Sequence, residues 1–276
     1  MSIIEKFLSL LFTLLTNPKI LVVKTMRPLS FLPFTLRLKF DAVSRPHYAY
    51  CLFQAAKEAK ALGINRISAI EFGVAGGQGI MAMEKLSSEI EKITKVKIDI
   101  YGFDLEKGLP KPKDFRDLSY VWEQGFYKMD YKKLSKRLAK AKLVLGDVKK
   151  TVPNFIRKSI APIGFIAFDL DYYSSTREAF KIFDANREKL LPRVFCYFDD
   201  TIGPDEELHS SYTGELLAIK EFNRKNKSKK ICKINGFIYK RKIPKAWNEK
   251  VYILHLFSHP LYNEYIYPGN DRQLII

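Results

Sequence analysis

The sequence predicts an α/β protein with a doubly wound, mostly parallel Rossmann-like sheet that ends in a terminal antiparallel hairpin. Three observations lead to this fold class. Short apolar segments typical of buried strands alternate with segments of helical spacing, a glycine-rich turn follows the first strand, and acidic residues follow several later strands. Strands joined through helices run parallel, so their carboxyl ends and the residues after them gather at one edge of the sheet.

The individual elements follow from local patterns. A helix is predicted from His47 to Leu62, because alanines and charges recur at helical spacing and Gly63 follows as a stop signal. Further helices are predicted at Ile80 to Thr94, Leu134 to Ala141, Pro153 to Ser159, Thr176 to Leu191 and Gly214 to Asn223. Strands are predicted at Ile67 to Phe72, Val96 to Phe103, Leu143 to Leu145, 163–168, 193–198, Ile231 to Tyr239 and Val251 to Phe257. The last two strands lack an intervening helix, which favours a hairpin at one edge.

The chain of 276 residues is long enough for one large domain with a substantial core. We divide it into an apolar helical arm at residues 1–46, a main domain at 47–257 and a tail at 258–276. The apolar run from Phe7 to Leu15 is too short to span a bilayer and lacks the features of a signal peptide. It is expected to pack on the domain or on a second copy in a homo-oligomer, and peripheral membrane contact through residues 3–15 is the alternative.

The chain is strongly basic, with 47 Lys and Arg against 30 Asp and Glu and a net charge of +17. The lysines are scattered over several helices and tails, and no nucleic-acid-binding signature accompanies them. Solvated helix faces are therefore favoured over a nucleic acid partner or an anionic membrane. The three cysteines are too few and too widely spaced for a disulfide framework or a zinc site, which predicts a reducing, cytoplasmic location.

The turn after the first predicted strand is rich in glycine. Gly73, Gly76 and Gly77 would let the backbone approach a ligand closely, and the following helix offers its N-terminus to an anionic group. The segment 77–82 also fits the dinucleotide pattern G-x-G-x-x-A, but its register is poor because the tight turn should begin where the strand ends. An NAD(P)-dependent oxidoreductase therefore remains an alternative interpretation.

Acidic residues at the tips of the next two strands suit an adenosine-containing cofactor. Asp104 ends the second strand, where a carboxylate can accept both hydroxyls of a ribose. Asp147, which follows Gly146 after the third strand, is expected near the adenine side of the same pocket. A capping role at the surface is the alternative for Asp104.

Four aspartates follow the fourth and fifth predicted strands. Asp169 and Asp171 come after the strand at 163–168, and Asp199 and Asp200 come after the strand at 193–198. Carboxylates that meet at one sheet edge repel one another unless a cation or a polar ligand joins them, so these residues form a candidate metal site. The period of two points Asp169 and Asp171 the same way, which predicts that Asp169 supports the metal site or touches the cofactor.

These segments together resemble a class I S-adenosylmethionine-dependent methyltransferase, and most closely the macrocin O-methyltransferase family, which methylates sugar hydroxyls on macrolides. The order and spacing of the motifs hold from about residue 67 to 201. The segments that carry the resemblance are Glu71-Phe72-Gly73-Val74 with Gly76-Gly77, Asp104 with Gly108-Leu109-Pro110, Gly146 with Thr151-Val152-Pro153, Asp169-Leu170-Asp171 with Tyr173-Ser174-Ser175-Thr176, and Asp199-Asp200. Leu170 stands where the family has glycine, and the loop after Asp200 lacks the family's tyrosine.

The resemblance implies S-adenosylmethionine as cofactor and a magnesium ion held by Asp171, Asp199 and Asp200. The residues expected to bind the cofactor are Glu71, Gly73, Gly76, Gly77, Asp104, Gly146, Asp147 and Asp169. Magnesium prefers oxygen ligands and would lower the pKa of an acceptor hydroxyl. Since the N-terminal residues and the terminal hairpin do not align with the family, the acceptor cannot be transferred from it.

Asp171, His209 and His255 are the candidate catalytic residues. Histidine titrates near neutral pH, which suits proton abstraction. His209 lies in the loop after Asp200 and His255 lies near the end of the last strand. A structural role for either histidine is the alternative, and a hydroxyl activated by a metal does not require a dedicated side-chain base.

The sequence thus predicts an S-adenosylmethionine-dependent methyltransferase that modifies a hydroxyl of a small molecule or sugar with the help of magnesium. The nicotinamide alternative predicts no role for Asp199 and Asp200. A nucleic-acid-directed methyltransferase or binding protein is the second alternative. It predicts one continuous basic face beside the mouth of the cofactor pocket.

Overall fold

A computed structural model describes residues 31–267. Its seven-stranded sheet has the order β3-β2-β1-β4-β5-β7-β6. The strands are β1 (Arg66–Phe72), β2 (Lys97–Asp104), β3 (Lys142–Leu145), β4 (Ile163–Phe168), β5 (Leu190–Phe198), β6 (Lys229–Lys233) and β7 (Val251–Leu256). The helices are α1 (Phe34–Lys39), α2 (Pro46–Ala61), α3 (Gln78–Thr94), α4 (Tyr131–Ser135), α5 (Val148–Ile156), α6 (Tyr173–Ala179) and α7 (Gly214–Lys225).

The sheet is mixed, as the sequence predicts. Strands β1 to β5 pair in parallel, whereas β7 pairs antiparallel with both β5 and β6. The Rossmann-like fold class and the antiparallel end of the sheet are therefore confirmed.

The chain order reverses between β1 and β4. From β1 the chain proceeds outward to β2 and β3, then returns to place β4 and β5 on the other side of β1. The connections after β1 and β4 consequently leave in opposite directions, and a crevice opens between them at the carboxyl ends. In open α/β sheets this switch point is where ligands bind.

Two hydrophobic layers cover the sheet, one on each face. Ile67 and Ala69 of β1 pack in one layer with α2 and α3, whereas Ile70 and Phe72 of the same strand pack in the other with α5, α6 and α7. The alternation follows from the two-residue period of a strand, because successive side chains point to opposite faces. Both faces of β1 are buried, as expected for a central parallel strand.

Three phenylalanines join the carboxyl ends of β1, β4 and β5. Phe72, Phe168 and Phe198 are directly opposite one another in the strand register. The Phe168 ring stacks on Phe198 with a centroid distance of 4.7 Å and on Phe72 at 5.4 Å. Because Asp169 and Asp199 directly follow two of these phenylalanines and Gly73 follows the third, the aromatic row holds the three strand ends that build the crevice.

Three predicted elements are shorter in the structure. The helix predicted from Leu134 to Ala141 is α4, which ends at Ser135. The backbone N–H groups of 139–141 donate to the Glu84 carboxylate of α3 and so do not continue the helix. The helix predicted from Thr176 gives way after Ala179 to single 3-10 turns, and the sixth strand ends at Lys233, before a turn at Gly236 with φ of 66°.

The predicted N-terminal arm is described only in part. The apolar segment at residues 3–15 lies outside the described residues, so its packing or membrane role stays a prediction. Phe34 and Leu38 of α1 are buried in the same layer as α2. Within residues 31–267, no helix has the length and hydrophobicity needed to cross a bilayer.

Replacing Phe168 by alanine should lower the free energy of unfolding by about 3–5 kcal/mol, because a fully buried aromatic side chain would leave a cavity between two stacked neighbours. Urea unfolding followed by circular dichroism measures this change. Phe115→Ala is the matched control, since 70% of Phe115 is exposed, and it should change the free energy by less than about 0.5 kcal/mol. Equal effects of the two variants would contradict a central role for the aromatic row.

Candidate active site

The loop after β1 passes very close to the end of β4. Gly73 has φ of 84°, and a Cβ atom at this position would lie 1.7 Å from the backbone oxygen of Asp169. The Asp169 N–H donates to the Phe72 carbonyl oxygen at 3.0 Å, which joins the two strand ends. Only glycine fits at Gly73, both for its conformation and for the contact.

The other two predicted glycines have different surroundings. Gly77 has φ of 79° and is the N-cap of α3, and a Cβ atom there would collide with the Leu134 side chain. Gly76 lines the main cavity, and no atom of the described chain lies within 4 Å of where its Cβ would be. Gly73 and Gly77 therefore shape the loop, and Gly76 leaves space above it.

Asp104, at the end of β2, holds this loop in place. One carboxylate oxygen, Oδ2, accepts hydrogen bonds from the N–H groups of Val74 and Ala75, both at 2.9 Å. The other, Oδ1, accepts from the Glu106 N–H at 2.6 Å. Asp104 also lines the cavity, its contact with a ribose stays a prediction, and the structure adds a loop-positioning role that the sequence did not suggest.

Gly146 and Asp147 complete this side of the cavity. The Gly146 N–H donates to the Asp104 carbonyl oxygen at 2.8 Å, and its φ of 120° is one that glycine adopts readily. Asp147 is the N-cap of α5, where its carboxylate accepts from the Lys149 N–H at 2.8 Å. Both residues line the cavity, and their contact with the adenosine side of a cofactor stays a prediction.

Glu71 is buried beneath the glycine loop and lines the cavity. Its Oε1 accepts a hydrogen bond from the Tyr48 hydroxyl at 2.7 Å, and its Oε2 has no partner among the described residues. Burial raises the pKa of Glu71 to about 7, against the smaller lowering effects of the Tyr48 hydrogen bond and of Arg45. A buried carboxylate oxygen without a donor favours a cationic ligand group.

The acidic residues after β4 and β5 converge, but in a different combination from the predicted one. Carboxylate oxygens of Asp169, Asp199 and Asp200 lie within 4.8 Å of one another. The predicted set contained Asp171 in place of Asp169, and Asp169 was assigned a supporting role. The described geometry therefore groups Asp169, and not Asp171, with Asp199 and Asp200, and which of these residues bind a metal stays a prediction.

Backbone conformation explains the difference. The strand pattern ends at Phe168, so the period of two no longer applies to the residues that follow. Asp171 has φ of 57° and lies at the centre of a tight turn in which the Tyr172 N–H donates to the Leu170 carbonyl oxygen at 2.5 Å. This turn redirects the Asp171 side chain, while the Asp171 N–H donates to Asp200 Oδ2 at 2.8 Å.

A fifth carboxylate joins the site from α7. Glu215 is fully buried, its Oε2 accepts from the Asp200 N–H at 3.0 Å, and its Oε1 has no partner among the described residues. Burial raises the pKa of Glu215 well above its ordinary value, and the negative charge of Asp200 raises it further. Sequence reasoning missed this residue, since an acidic residue in the first turn of a helix is common and only the return of α7 brings it here.

Burial and mutual repulsion act on the pKa of the whole cluster. The pKa values of Asp169 and Asp171 are raised well above the ordinary range, first by burial and then by the charges of Asp200 and Asp199. The pKa of Asp200 is raised to about 7 by burial and by Asp199. Carboxylates placed in this way favour a proton or a cation between them.

Among the described residues, Lys250 is the only cationic side chain that hydrogen-bonds to the cluster, and it does so at Asp199. The Lys250 ammonium donates to the carbonyl oxygen of Asp199 and lies 3.3 Å from its Oδ1. The Tyr197 hydroxyl donates to the same Oδ1 at 2.9 Å, and the His47 ring stacks on Tyr197 at a centroid distance of 4.4 Å. The pKa of His47 is lowered to about 3, mainly by burial and then by Arg45.

The two histidines proposed as general bases lie outside the cavity lining. His255 pairs with Arg193 in the register of β5 and β7, and its Nδ1 is 2.8 Å from the Tyr262 hydroxyl. Arg193 precedes Phe198 by five residues, so His255 lies about 17 Å along the strand from the carboxyl ends. The prediction overlooked that the antiparallel β7 carries its end to the opposite edge, and the structure does not support His255 as the base.

His209 is closer to the site but makes a local contact. Its Nε2 is 2.5 Å from a carboxylate oxygen of Glu207, and Glu207 lines the cavity whereas His209 does not. The role of His209 as a general base stays a prediction. In the structure, its contact with Glu207 orients the Glu207 carboxylate.

The long loop between β2 and α4 closes one side of the cavity. Trp122 and Tyr127 line it, and Leu118 and Trp122 form a small buried cluster with Tyr172. Asp117 accepts hydrogen bonds from the Ser174 N–H at 2.8 Å and from the Ser174 hydroxyl at 2.9 Å, which joins the loop to α6. The loop is thus packed onto the site, with part of its aromatic surface facing the cavity.

All these parts surround one cavity of about 680 Å³. The glycine loop, Asp104, Gly146 and Asp147 line one side, and Asp169, Asp171, Asp199 and Asp200 line the other. A site of this size accommodates a nucleoside-sized ligand and a second small molecule. The arrangement can bring an adenosine-containing ligand next to a cluster of hard oxygen donors.

Comparison with known proteins supports the fold. No protein-family model matches the chain, and no curated protein matches it either. The structure of CalS11, a calicheamicin methyltransferase, is similar with a TM-score of 0.50 and 19% sequence identity, over 87% of this chain and 91% of CalS11.

Two further solved structures are similar at lower scores. The O-methyltransferase NovP has a TM-score of 0.47 and 14% identity, over 65% of this chain and 72% of NovP. An O-methyltransferase from Bacillus cereus in complex with SAH has a TM-score of 0.37 and 10% identity, over 86% of this chain and 90% of its own. At these identities the likeness concerns the fold alone, a Rossmann-like sheet flanked by helices.

Proposed function

We propose that this protein is an S-adenosylmethionine-dependent methyltransferase that transfers a methyl group to a hydroxyl oxygen of a small molecule, with magnesium in the acidic cluster. The observation that carries the proposal is that one cavity is lined on one side by the glycine loop and on the other by the aspartates. A sugar hydroxyl is the first candidate acceptor. The motif resemblance favours it, and one similar structure is that of a TDP-rhamnose 3'-O-methyltransferase.

The cofactor side fits S-adenosylmethionine by its chemistry. Gly76 leaves open space over the loop, and the N-terminus of α3 lies directly behind it. The unpartnered Oε2 of Glu71 suits the ammonium group of the methionine part, which would supply the missing donor. Asp104 and Asp147 line the side where the ribose and adenine would lie.

The acidic side fits magnesium by its donor set. Three carboxylate oxygens lie within 4.8 Å of one another, and oxygen donors of this kind are the ligands that Mg²⁺ prefers. The raised pKa values of Asp169 and Asp200 mean that the described chain disfavours their charged forms, which a bound cation would stabilise, and Oε1 of Glu215 has no partner among the described residues. We assign Asp169, Asp199 and Asp200 as the residues that would hold the ion.

When bound, S-adenosylmethionine supplies an electrophilic methyl group and magnesium supplies a Lewis acid that favours the deprotonated acceptor. Asp171 lines the cavity beside the cluster, and its side chain makes no hydrogen bond with the rest of the described chain, so it is placed to accept the acceptor's proton. Trp122 and Tyr127 line the cavity and would limit the access of water to the reacting oxygen. Lys250 and Tyr197 hold the Asp199 carboxylate in one orientation.

The nicotinamide alternative receives less support. It relies on Gly77 in the position of the first tight turn, but Gly77 is the N-cap of α3 and the turn after β1 begins at Gly73. It also gives no role to the acidic cluster in the same cavity.

Calorimetry with S-adenosylhomocysteine and Mg²⁺ tests the function directly. The wild type should bind S-adenosylhomocysteine, and Asp199→Asn should bind it with similar affinity while Mg²⁺ affinity falls at least about tenfold, because one of three anionic ligands is lost. Glu206→Gln is the matched control, since Glu206 is exposed and does not line the cavity. Absence of S-adenosylhomocysteine binding at millimolar ligand would refute the methyltransferase proposal, and unchanged Mg²⁺ affinity in Asp199→Asn would refute only the metal assignment.

The Gly76→Val variant tests whether Gly76 leaves room for the cofactor or is needed for the conformation of the loop. An added Cβ atom would have no atom of the described protein beyond its chain neighbours within 4 Å, so we expect the thermal midpoint to change little, yet the side chain would occupy space where the cofactor is proposed to lie. We expect S-adenosylhomocysteine affinity to fall at least about tenfold, the loss that about 1.4 kcal/mol of steric conflict produces. Wild-type affinity in a folded Gly76→Val variant would place the cofactor elsewhere.

The pKa shifts predict how stability depends on pH. The folded chain keeps Asp169, Asp171, Asp200, Glu71 and Glu215 protonated to higher pH than the unfolded chain, so it loses stability as pH rises through their folded pKa values. The lowered pKa of His47 affects the stability of the fold only below pH 6.5, the ordinary pKa of histidine. It therefore does not oppose the loss of stability above that pH.

The thermal midpoint of the metal-free protein should therefore fall as the pH rises from 6.5 through about 7, the folded-state pKa of Asp200 and Glu71. Saturating Mg²⁺ should reduce the fall, because a cation stabilises the charged carboxylates. Asp200→Asn should also reduce it while retaining an oxygen that accepts the Asp171 N–H. A midpoint independent of pH in this window would contradict the buried, mutually repelling cluster.

A further inference from the structure

One edge of the sheet carries a dense group of basic residues. Residues 128–158 contain eleven Lys and Arg and only two acidic residues, which gives a net charge of +9 (11 − 2) of the chain's +17. All eleven basic side chains are exposed. We call this group the basic edge; its members are Lys128, Lys132, Lys133, Lys136, Arg137, Lys140, Lys142, Lys149, Lys150, Arg157 and Lys158.

The fold brings these residues to one side of the molecule. They lie on α4, the edge strand β3 and α5, together with the segments that join them. Leu134 of α4 packs in one hydrophobic layer and Phe155 of α5 packs in the other, so the two helices flank β3 on opposite faces. The Glu84 carboxylate of α3 accepts hydrogen bonds from the backbone N–H groups of residues 139–141 and so fixes the segment between α4 and β3.

The positive charge of the basic edge is not neutralised within the described part of the chain. Lys140 forms an ion pair with Glu91, and the other ten have no carboxylate within 4.0 Å among residues 31–267. The two acidic residues of the segment, Asp130 and Asp147, accept backbone hydrogen bonds as helix N-caps. A surface of this kind attracts polyanions or anionic lipids.

Exposed aromatic side chains adjoin the basic edge. Phe126, Tyr127 and Tyr131 are exposed by 41%, 53% and 41%, and they surround Lys128 in the sequence. Tyr127 and Lys149 line the active-site cavity, so the basic edge borders the cavity mouth. Aromatic and basic side chains side by side are typical of surfaces that lie at the lipid headgroup level.

We propose that the basic edge docks this protein on an anionic membrane surface, with the cavity mouth beside the headgroups. Ten of the eleven basic residues do not line the cavity but stand on the outside of an edge strand and two helices, which suits a broad anionic surface better than a single nucleic acid strand. The apolar run at residues 3–15, outside the described part, would be the second membrane signal if it takes the membrane contact that the sequence offers as the alternative to packing on the domain. Stable membrane attachment generally requires two such signals.

Vesicle flotation with the full chain tests the proposal, and it does not depend on the methyltransferase chemistry. The comparison uses phosphatidylcholine vesicles with and without about 30% phosphatidylglycerol, at low and at high salt. The edge variant replaces Lys132, Lys133, Lys136 and Arg137 by Gln. The matched control replaces four exposed basic residues elsewhere, Lys60, Arg224, Lys227 and Lys240, by Gln and removes the same total charge.

The wild type and the control should bind anionic vesicles and lose binding at high salt. The edge variant should bind at least about tenfold more weakly, since each basic residue near the surface contributes about fivefold. Thermal unfolding verifies that the variants fold, and a second variant with Lys150, Arg157 and Lys158 replaced by Gln tests the α5 side in the same way. Equal binding to neutral and anionic vesicles, or equal loss in the edge variant and the control, would overturn the proposal. So would binding of an RNA oligonucleotide through the basic edge without binding of vesicles.

Discussion

Electrostatic repulsion among buried carboxylates is the constraint on which the site depends. Asp169, Asp171, Asp199, Asp200 and Glu215 meet at the ends of β4 and β5, and burial raises the pKa of four of them. Such a cluster is unfavourable unless the surrounding chain or a ligand supplies positive charge. Here the chain supplies Lys250 at Asp199 and the backbone N–H groups of Asp171 and Asp200.

The rigidity needed to maintain this cluster comes from apolar packing immediately beneath it. The stacked rings of Phe72, Phe168 and Phe198 hold three strand ends side by side, and the acidic residues have little freedom to separate. The close approach of Gly73 to the Asp169 backbone joins the cluster to the glycine loop. The two sides of the cavity therefore cannot shift independently, which is a useful property where two reactants must be held in line.

Much of the fold could be predicted from the sequence, because strand and helix patterns and the order of the elements are local properties. The residues that follow regular structure could not be placed as well. The period of two predicted a common direction for Asp169 and Asp171, but the strand ends at Phe168 and a tight turn centred on Asp171, three residues later, breaks the period. His255 was misplaced for a related reason, since the direction of β7 in the sheet decides which edge its end reaches.

Other members of the site come from elements distant in the chain and carry no local signal. Glu215 arrives on α7 and Lys250 arrives just before β7, and each contacts the cluster only because the chain returns to the carboxyl edge. Asp104 shows the opposite case, in which the position was predicted but the backbone contacts that hold the loop were not. Sequence patterns thus locate the strand ends, whereas the partners that orient each carboxylate follow from tertiary structure.

The distribution of charge links the site to the surface. An acidic cavity lies within a chain of net charge +17, and over half of that excess belongs to residues 128–158 at one edge. The sequence favoured solvated helix faces because the lysines are spread along the chain, yet the fold gathers α4, β3 and α5 around a single edge strand. An edge strand that carries Lys142 and is flanked by lysines also resists pairing with other strands. The same positive charge that opposes edge-to-edge aggregation therefore attracts an anionic surface beside the cavity mouth. Vesicle binding distinguishes these two roles, whereas a measurement of fold stability does not.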